Sequence, residues 1–186
     1  MQTTPNFEIR GGLTIKKLVE DYTFDTVLDI GSGEGRQADI FRQYGKDVTE
    51  QDYLRQGDFM DWDGGQFDLV FACHVLEHQL NVNAFLKKCK SHIKSDGGFA
   101  VVVPPAKHQI VGGHLTLWNA GLLLYNLILA GFDCSEAEII SYGYNVSVIV
   151  RNSEIQLPPL HYDCGDIEKL QAFFPPGCSE PFDGRL

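Results

Sequence analysis

The sequence predicts an α/β fold: a doubly wound, mostly parallel sheet that ends in an antiparallel hairpin. Two observations carry this. Apolar runs of strand length at residues 26–30, 67–72 and 99–103 alternate with amphipathic stretches of helical length, the pattern of βαβ units. Such near-continuous runs suit parallel strands buried on both faces. Near the end, Val146, Val148 and Val150 alternate with other residues directly after Tyr142-Gly143-Tyr144, which marks a hairpin.

In chain order, residues 13–19 form a short amphipathic entry helix, and 26–30 (TVLDI) a buried strand stopped by Gly31-Ser32-Gly33-Glu34-Gly35. Residues 36–44 read as a helix, with Gly45 just past its end where a left-handed cap costs least. A short strand is expected at 47–49, a third at 67–72 and a helix at 83–93. Ser95-Asp96-Gly97-Gly98 turns the chain into the buried strand 99–103 (FAVVV), which Pro104-Pro105 stops. Residues 118–130 are apolar on nearly every side, so this helix is covered on both faces, with Asn119 and Asn126 on one narrow stripe. Strands at 136–141 and 145–151 form the hairpin and close a unit of residues 1–151. Residues 152–186 differ. Pro158, Pro159, Pro175, Pro176 and Pro181 surround one helical candidate at 167–174, as expected of an arm that wraps the domain or reaches a partner chain.

The 186 residues fit one domain with such a tail, and a make-up of 44% hydrophobic and 22% charged residues excludes a disordered or fibrous chain. Fifteen basic against 25 acidic side chains give a net charge of −10. That field repels phosphate backbones, so no nucleic-acid partner is expected. The most apolar stretch, 115–132, is interrupted by Asn119 and Asn126 and falls short of the ~20 apolar residues that span a bilayer. Residues 1–10 lack the basic start and apolar run of a secretory leader. Cys73, Cys89, Cys134, Cys164 and Cys178 form no C-x-x-C pair and read as thiols in a reducing cytoplasm.

Strand, glycine loop and helix together make a ligand site, because glycines admit close approach and the free N–H groups of the helix start face the ligand. The dinucleotide fingerprint G-x-G-x-x-G would put Arg36 at its last glycine, where a long side chain obstructs close helix–strand packing. The spacing present is G-x-G-x-G behind Asp29. An acid at that strand end suits an ammonium group better than a pyrophosphate.

The segment VLDIGSGEG (27–35) resembles the first motif of class I S-adenosylmethionine-dependent methyltransferases. Further segments follow in the family's order. VTEQD, ending at Asp52, is similar to the stretch with the ribose-binding acid, and GDF (57–59) to the adenine-contacting pair. FDLVFACHVLEH (67–78) resembles the fourth-strand segment, residues 85–104 the next helix, Gly-Gly turn and strand, and residues 112–132 the late loop and helix. The resemblance spans residues 24–151. It implies a Rossmann-like sheet that binds S-adenosyl-L-methionine across the C-terminal ends of its first strands, and methyl transfer by direct displacement. Asp29, Gly31, Ser32, Gly33 and Gly35 would hold the amino-acid end, Asp52 the ribose, and Asp58 with Phe59 the adenine. Tyr53, Cys73 and His74 would complete the cofactor site. Asp52 and Asp58 are close in sequence where most members carry a helix and another strand, so the third β/α unit is shortened.

The acceptor implied by size and acidity is a small molecule or a sugar unit. His108 and His114 lie on the loop after the 99–103 strand, at the edge where ligands bind in open α/β sheets. His114 is the candidate general base for a hydroxyl acceptor, set against a role in ordering the Trp118 helix. His74-Val75-Leu76-Glu77-His78 matches the H-x-x-E-H of inverted zinc peptidases, but it follows a buried strand instead of lying within a long helix. No metal is therefore assigned, and His78 is given a packing or capping role. Cys73 and Cys89 read as buried small side chains, Tyr142 and Tyr144 as hairpin packing, and Phe173 and Phe174 as anchors of the tail or a dimer contact. A homodimer through the 118–130 helix or the arm is a further expectation. Two other functions stay open: a cofactor-binding scaffold without catalysis, and an NAD-dependent oxidoreductase.

Overall fold

The computed structural model describes residues 6–185. Residues 1–5 of the stretch read for a leader, and the last residue of the arm, lie outside the described residues. Among them the sheet has six strands: β1 (Thr26–Ile30), β2 (Asp47–Gln51), β3 (Phe67–Cys73), β4 (Ile93–Val103), β5 (Glu138–Tyr142) and β6 (Asn145–Arg151). Their order is β2-β1-β3-β4-β6-β5, parallel from β2 to β4 and antiparallel at β4–β6 and β6–β5. The predicted doubly wound sheet with a terminal hairpin is what the chain forms.

Both faces are covered, which is why the strands read as unbroken apolar runs. Because side chains alternate along a strand, Leu28, Val70, Val101 and Val148 enter one core, while Val27, Leu69, Phe71, Ala100 and Ile149 enter the other. Helices α1 (Gly12–Asp21) and α2 (Arg36–Gln43) cover the second face, through Ile15, Leu18, Ile40 and Phe41. The first face is covered by α4 (Val82–Ser91), α5 (Ala120–Leu129) and side chains from the arm.

Between β2 and β3 stand only α3 (Tyr53–Gln56) and a single 3-10 turn, Phe59–Asp61, so β2 is the sheet edge and the third unit is shortened as expected. Several boundaries differ from the sequence pattern, two of them for a clear local reason. The fourth strand starts at Ile93, not at residue 99: Phe67 pairs with Ile93 and Leu69 with Gly98, so the Ser95–Gly98 turn is a bulge within one strand. Helix α5 starts at Ala120, because Asn119 caps it by accepting the Leu122 N–H at 2.8 Å instead of lying within it. In the arm, α6 (Asp166–Lys169) and a 3-10 turn stand where a longer helix was expected. Leu170, Phe174 and Cys178 are buried in the core, and the Gly121 N–H of α5 donates to the Gly184 carbonyl at 3.2 Å.

Candidate functional site

Strand order reverses between β1 and β3, and a crevice opens there beyond the carboxyl ends, as such sheets require. Gly31, Gly33 and Gly35 carry the chain out of β1 with φ of 70°, 54° and 78°, a region L side chains rarely adopt. A Cβ at Gly31 would collide with the Val75 side chain, whereas one at Gly33 would meet nothing within 4 Å. Gly33 thus leaves free space beside the loop, while its own N–H is held by Asp52 and its carbonyl accepts from Arg55 at 2.7 Å. Beneath the loop Asp29 is 2% exposed, and among the described residues its Oδ2 accepts no hydrogen bond. Burial, with Glu50 nearby, pushes its carboxyl up to about 8. Ser32 is buried beside it.

Asp52 directly follows β2 and caps α3. Its Oδ1 accepts the Leu54 N–H at 3.1 Å and its Oδ2 the Gly33 N–H at 3.0 Å, which ties α3 to the glycine loop. A carboxylate has about four lone-pair sites, so further acceptance from a ligand hydroxyl stays open. Asp58 accepts the Met60 N–H at 2.9 Å. The crevice has a volume of about 580 Å³ and is walled by Gly31, Asp52, Tyr53, Asp58, His74 and His78, a size usual for small-ligand sites. A larger hollow, about 650 Å³, opens at the opposite end of the sheet around Tyr22, Glu138 and Arg151. There the Glu138 carboxylate is already taken by Lys17 and Tyr22.

The third wall is the turn after β3. His74 has φ 56° and sends its ring under the hairpin, where Nε2 stands 3.0 Å from Asn145 Oδ1. Burial lowers its pKa. Glu77 is fully buried, and neither of its oxygens has a hydrogen-bond partner among the described residues. Burial pushes its carboxyl up. His78 is exposed and donates through Nδ1 to the Gly113 carbonyl at 2.6 Å, while the Leu115 N–H donates to the Glu77 carbonyl at 2.7 Å. These two bonds clamp the 105–117 loop onto the turn and set the His114 ring edge-on to His78 at 5.1 Å. Burial, with His78 and Arg10, lowers the His114 pKa.

Of the residues singled out from sequence, the fold gathers Gly31, Asp52, Tyr53, Asp58 and His74 on the crevice wall, with Asp29 and Ser32 beneath and Gly33 and Gly35 in the loop. Phe59 turns inward, edge-on to Phe85 at 5.5 Å, so its side chain supports the wall from behind. The Cys73 thiol lies in the α1–α2 core, where Gln37 reaches it at 4.0 Å, leaving only its backbone toward the crevice. His114 stands behind His78 instead of on the wall. His78 latches the loop rather than packing beside the sheet. Glu77 carried a usable signal, as the acid of H-x-x-E-H, but that motif lies on a 3-10 turn, Leu76–His78, and not on a peptidase helix.

A family model described as a methyltransferase domain matches residues 13–133, well over half of the chain. The chain belongs to this methyltransferase-domain family. Among solved structures, the domain resembles a Burkholderia thailandensis 1,6-didemethyltoxoflavin-N1-methyltransferase with bound 1,6-didemethyltoxoflavin and S-adenosylhomocysteine. That match has a TM-score of 0.59 at 19% identity and covers 69% of this chain and 71% of the other. It also resembles human N-acetylserotonin methyltransferase in complex with S-adenosylmethionine (TM-score 0.58, 14% identity, 76% and 52% covered). A third is Haemonchus contortus phosphoethanolamine N-methyltransferase 2 with S-adenosyl-L-methionine (TM-score 0.56, 18% identity, 69% and 37% covered). The methyltransferase domain thus spans about half or less of the latter two chains. No curated protein matches its sequence. Among the described residues no helix is long and apolar enough to cross a membrane.

Proposed function

We propose that this methyltransferase domain moves the methyl group of S-adenosyl-L-methionine to a small-molecule or sugar acceptor. The observation that carries the reading is Asp29, a buried carboxylate with an unpartnered oxygen at the mouth of a glycine loop. Such an acid ionises readily only beside a cation, and the ammonium of a bound amino acid supplies one. The crevice residues fit the rest of the molecule. The free space beside Gly33 receives the amino-acid end, Asp52 accepts the ribose hydroxyls, and Tyr53, Asp58 and Met60 enclose the adenine.

The cofactor supplies a methyl group on a positively charged sulfur. The chain's own work is alignment and exclusion of water, and direct displacement asks for no covalent enzyme intermediate. On the acceptor side we assign His114 to a hydroxyl's proton. Burial, with His78 and Arg10, favours the neutral ring, which has a lone pair to offer. Small acceptors are favoured by the net charge of −10, which repels nucleic acid, and by the acceptor bound in the Burkholderia relative.

Incubation with isotopically labelled S-adenosylmethionine and mixed pools of small hydroxylated, amino and sugar compounds tests the proposal. Labelled methyl should appear in one acceptor class, and His114→Ala should slow transfer by ~10²-fold or more with cofactor affinity kept. Binding without turnover on every pool would favour the scaffold reading instead.

A further inference from the structure

Three acceptor atoms converge at the turn after β3. Glu77 Oε1 lies 3.5 Å from His74 Nδ1 and 3.8 Å from His78 Nε2. The tautomers follow from the far sides of the rings. A carbonyl only accepts, so the Gly113 oxygen fixes the proton of His78 on Nδ1 and leaves Nε2 bare. Asn145 Oδ1 also takes the Gly11 N–H at 3.3 Å, and its Nδ2 donates to the Tyr142 carbonyl at 3.4 Å. That orientation puts the proton of His74 on Nε2 and leaves Nδ1 bare. Two imidazole lone pairs therefore face a buried carboxylate that has no donor of its own among the described residues. Lone pairs aimed at one another repel, and this arrangement calls for a positive centre between them.

His114 completes the set. One ligand atom each from Glu77, His78 and His114 lies within 4.8 Å of the others. The backbone carbonyl that orients His78 is the outer partner that metal-binding histidines ordinarily have. We propose that Glu77, His78 and His114 bind one divalent transition-metal cation. Imidazole nitrogens with a single carboxylate favour zinc, manganese, cobalt or nickel over the oxygen-seeking magnesium and calcium. The carboxylate is buried and the histidine clamp is already formed, so closure asks mainly for movement of the His114 loop beside Gly112 and Gly113. With the ion in place His114 is a ligand, so the base role assigned to it belongs to the metal-free protein. Since His74 and His78 also wall the crevice, the ion would stand beside an acceptor oxygen there. That last role rests on the methyl-transfer reading; the binding itself does not.

The test uses the full chain, stripped with a chelator and titrated without cofactor. Mn2+, Zn2+ and Co2+ are added in turn, followed by calorimetry and, for cobalt, by its visible absorption. One saturable equivalent per chain is expected, with affinity reduced at least tenfold in both Glu77→Gln and His114→Ala. His161→Ala, an exposed histidine of the arm, should bind as the parent does. His114→Ala alters a loop residue and is expected to fold, so it reports even if Glu77→Gln does not. No saturable binding by any of the three ions would overturn the proposal, as would equal affinity in His114→Ala. The cluster would then be closed by a proton alone. Because no cofactor is present, either result leaves the methyl-transfer reading to its own assay.

Discussion

Asp68 and Asp29 stand at opposite ends of adjacent strands, and the protein completes one and leaves the other open. At the start of β3, Asp68 Oδ2 accepts from the Asp25 N–H at 3.1 Å, the Thr26 N–H at 2.8 Å and the Thr26 hydroxyl at 2.7 Å. Its Oδ1 takes Lys94 Nζ at 2.8 Å. Burial opposes its ionisation, but Lys94 and Thr26 outweigh that and hold the carboxyl well below the usual range. Near the end of β1, Asp29 is more deeply buried, has a bare oxygen and is driven the other way, up to about 8. Glu77 repeats that state at the end of β3. The contrast separates structure from site. A part-buried acid with both oxygens partnered fastens the fold, and a buried acid with an oxygen left bare among the described residues marks where something else binds.

The largest effect should be on pH dependence. Between its ordinary 3.8 and about 8, Asp29 keeps a proton in the folded state that it has lost in the unfolded one. The stability of the ligand-free protein therefore falls as pH rises through that window, by up to ~1.4 kcal/mol per pH unit from this group. Thermal melts across the window should show the slope in the parent and lose much of it in Asp29→Asn. An unchanged slope would mean that Asp29 is ionised and partnered after all.

Asp68 has the opposite sign. Asp68→Ala should cost about 1.5–3 kcal/mol in urea unfolding above the ordinary carboxylate value of 3.8, since it removes charge-assisted bonds and strands their donors. The cost should shrink as pH falls below that value, where the parent loses the same charge. A neutral substitution at pH 7 would erase the distinction between the two strand ends.

Asp52 lies between these cases, partnered yet with capacity to spare. Asp52→Ala should cost ~1 kcal/mol of stability through loss of the α3 cap. It should also weaken S-adenosylmethionine about tenfold, or ~1.4 kcal/mol, measured by calorimetry. Unchanged affinity would move the ribose contact to another acid, with Glu50 the neighbour to examine.

The finished parts of this contrast were the easier ones to read from sequence. Strands β1, β3 and β6 follow from runs of apolar residues, and the glycine loop from a five-residue motif, because both signals are local. Asp52 could be placed because it directly follows the strand next to the loop. The start of β4 at Ile93 was hidden, since the irregularity between Ile93 and Gly98 looks like the turn Ser95–Gly98 until the pairing of Phe67 with Ile93 is known. The side taken by Cys73 and the inward turn of Phe59 depend on which face of the sheet each meets. The Glu77, His78 and His114 cluster was least legible. It depends on two hydrogen bonds between segments far apart in the chain, His78 to Gly113 and Leu115 to Glu77, and no local pattern encodes them.

Calorimetric titration of the parent and of Asp29→Asn with S-adenosylmethionine, with NAD as the comparison ligand, tests most directly that the open acid under the glycine loop is a cofactor site. One equivalent of S-adenosylmethionine should bind the parent. At a hundred times its dissociation constant it should add ~2.7 kcal/mol of stability. Asp29→Asn should bind it at least tenfold more weakly, and NAD should bind neither protein. Tight NAD binding by the parent, or S-adenosylmethionine binding that Asp29→Asn leaves unchanged, would contradict that claim.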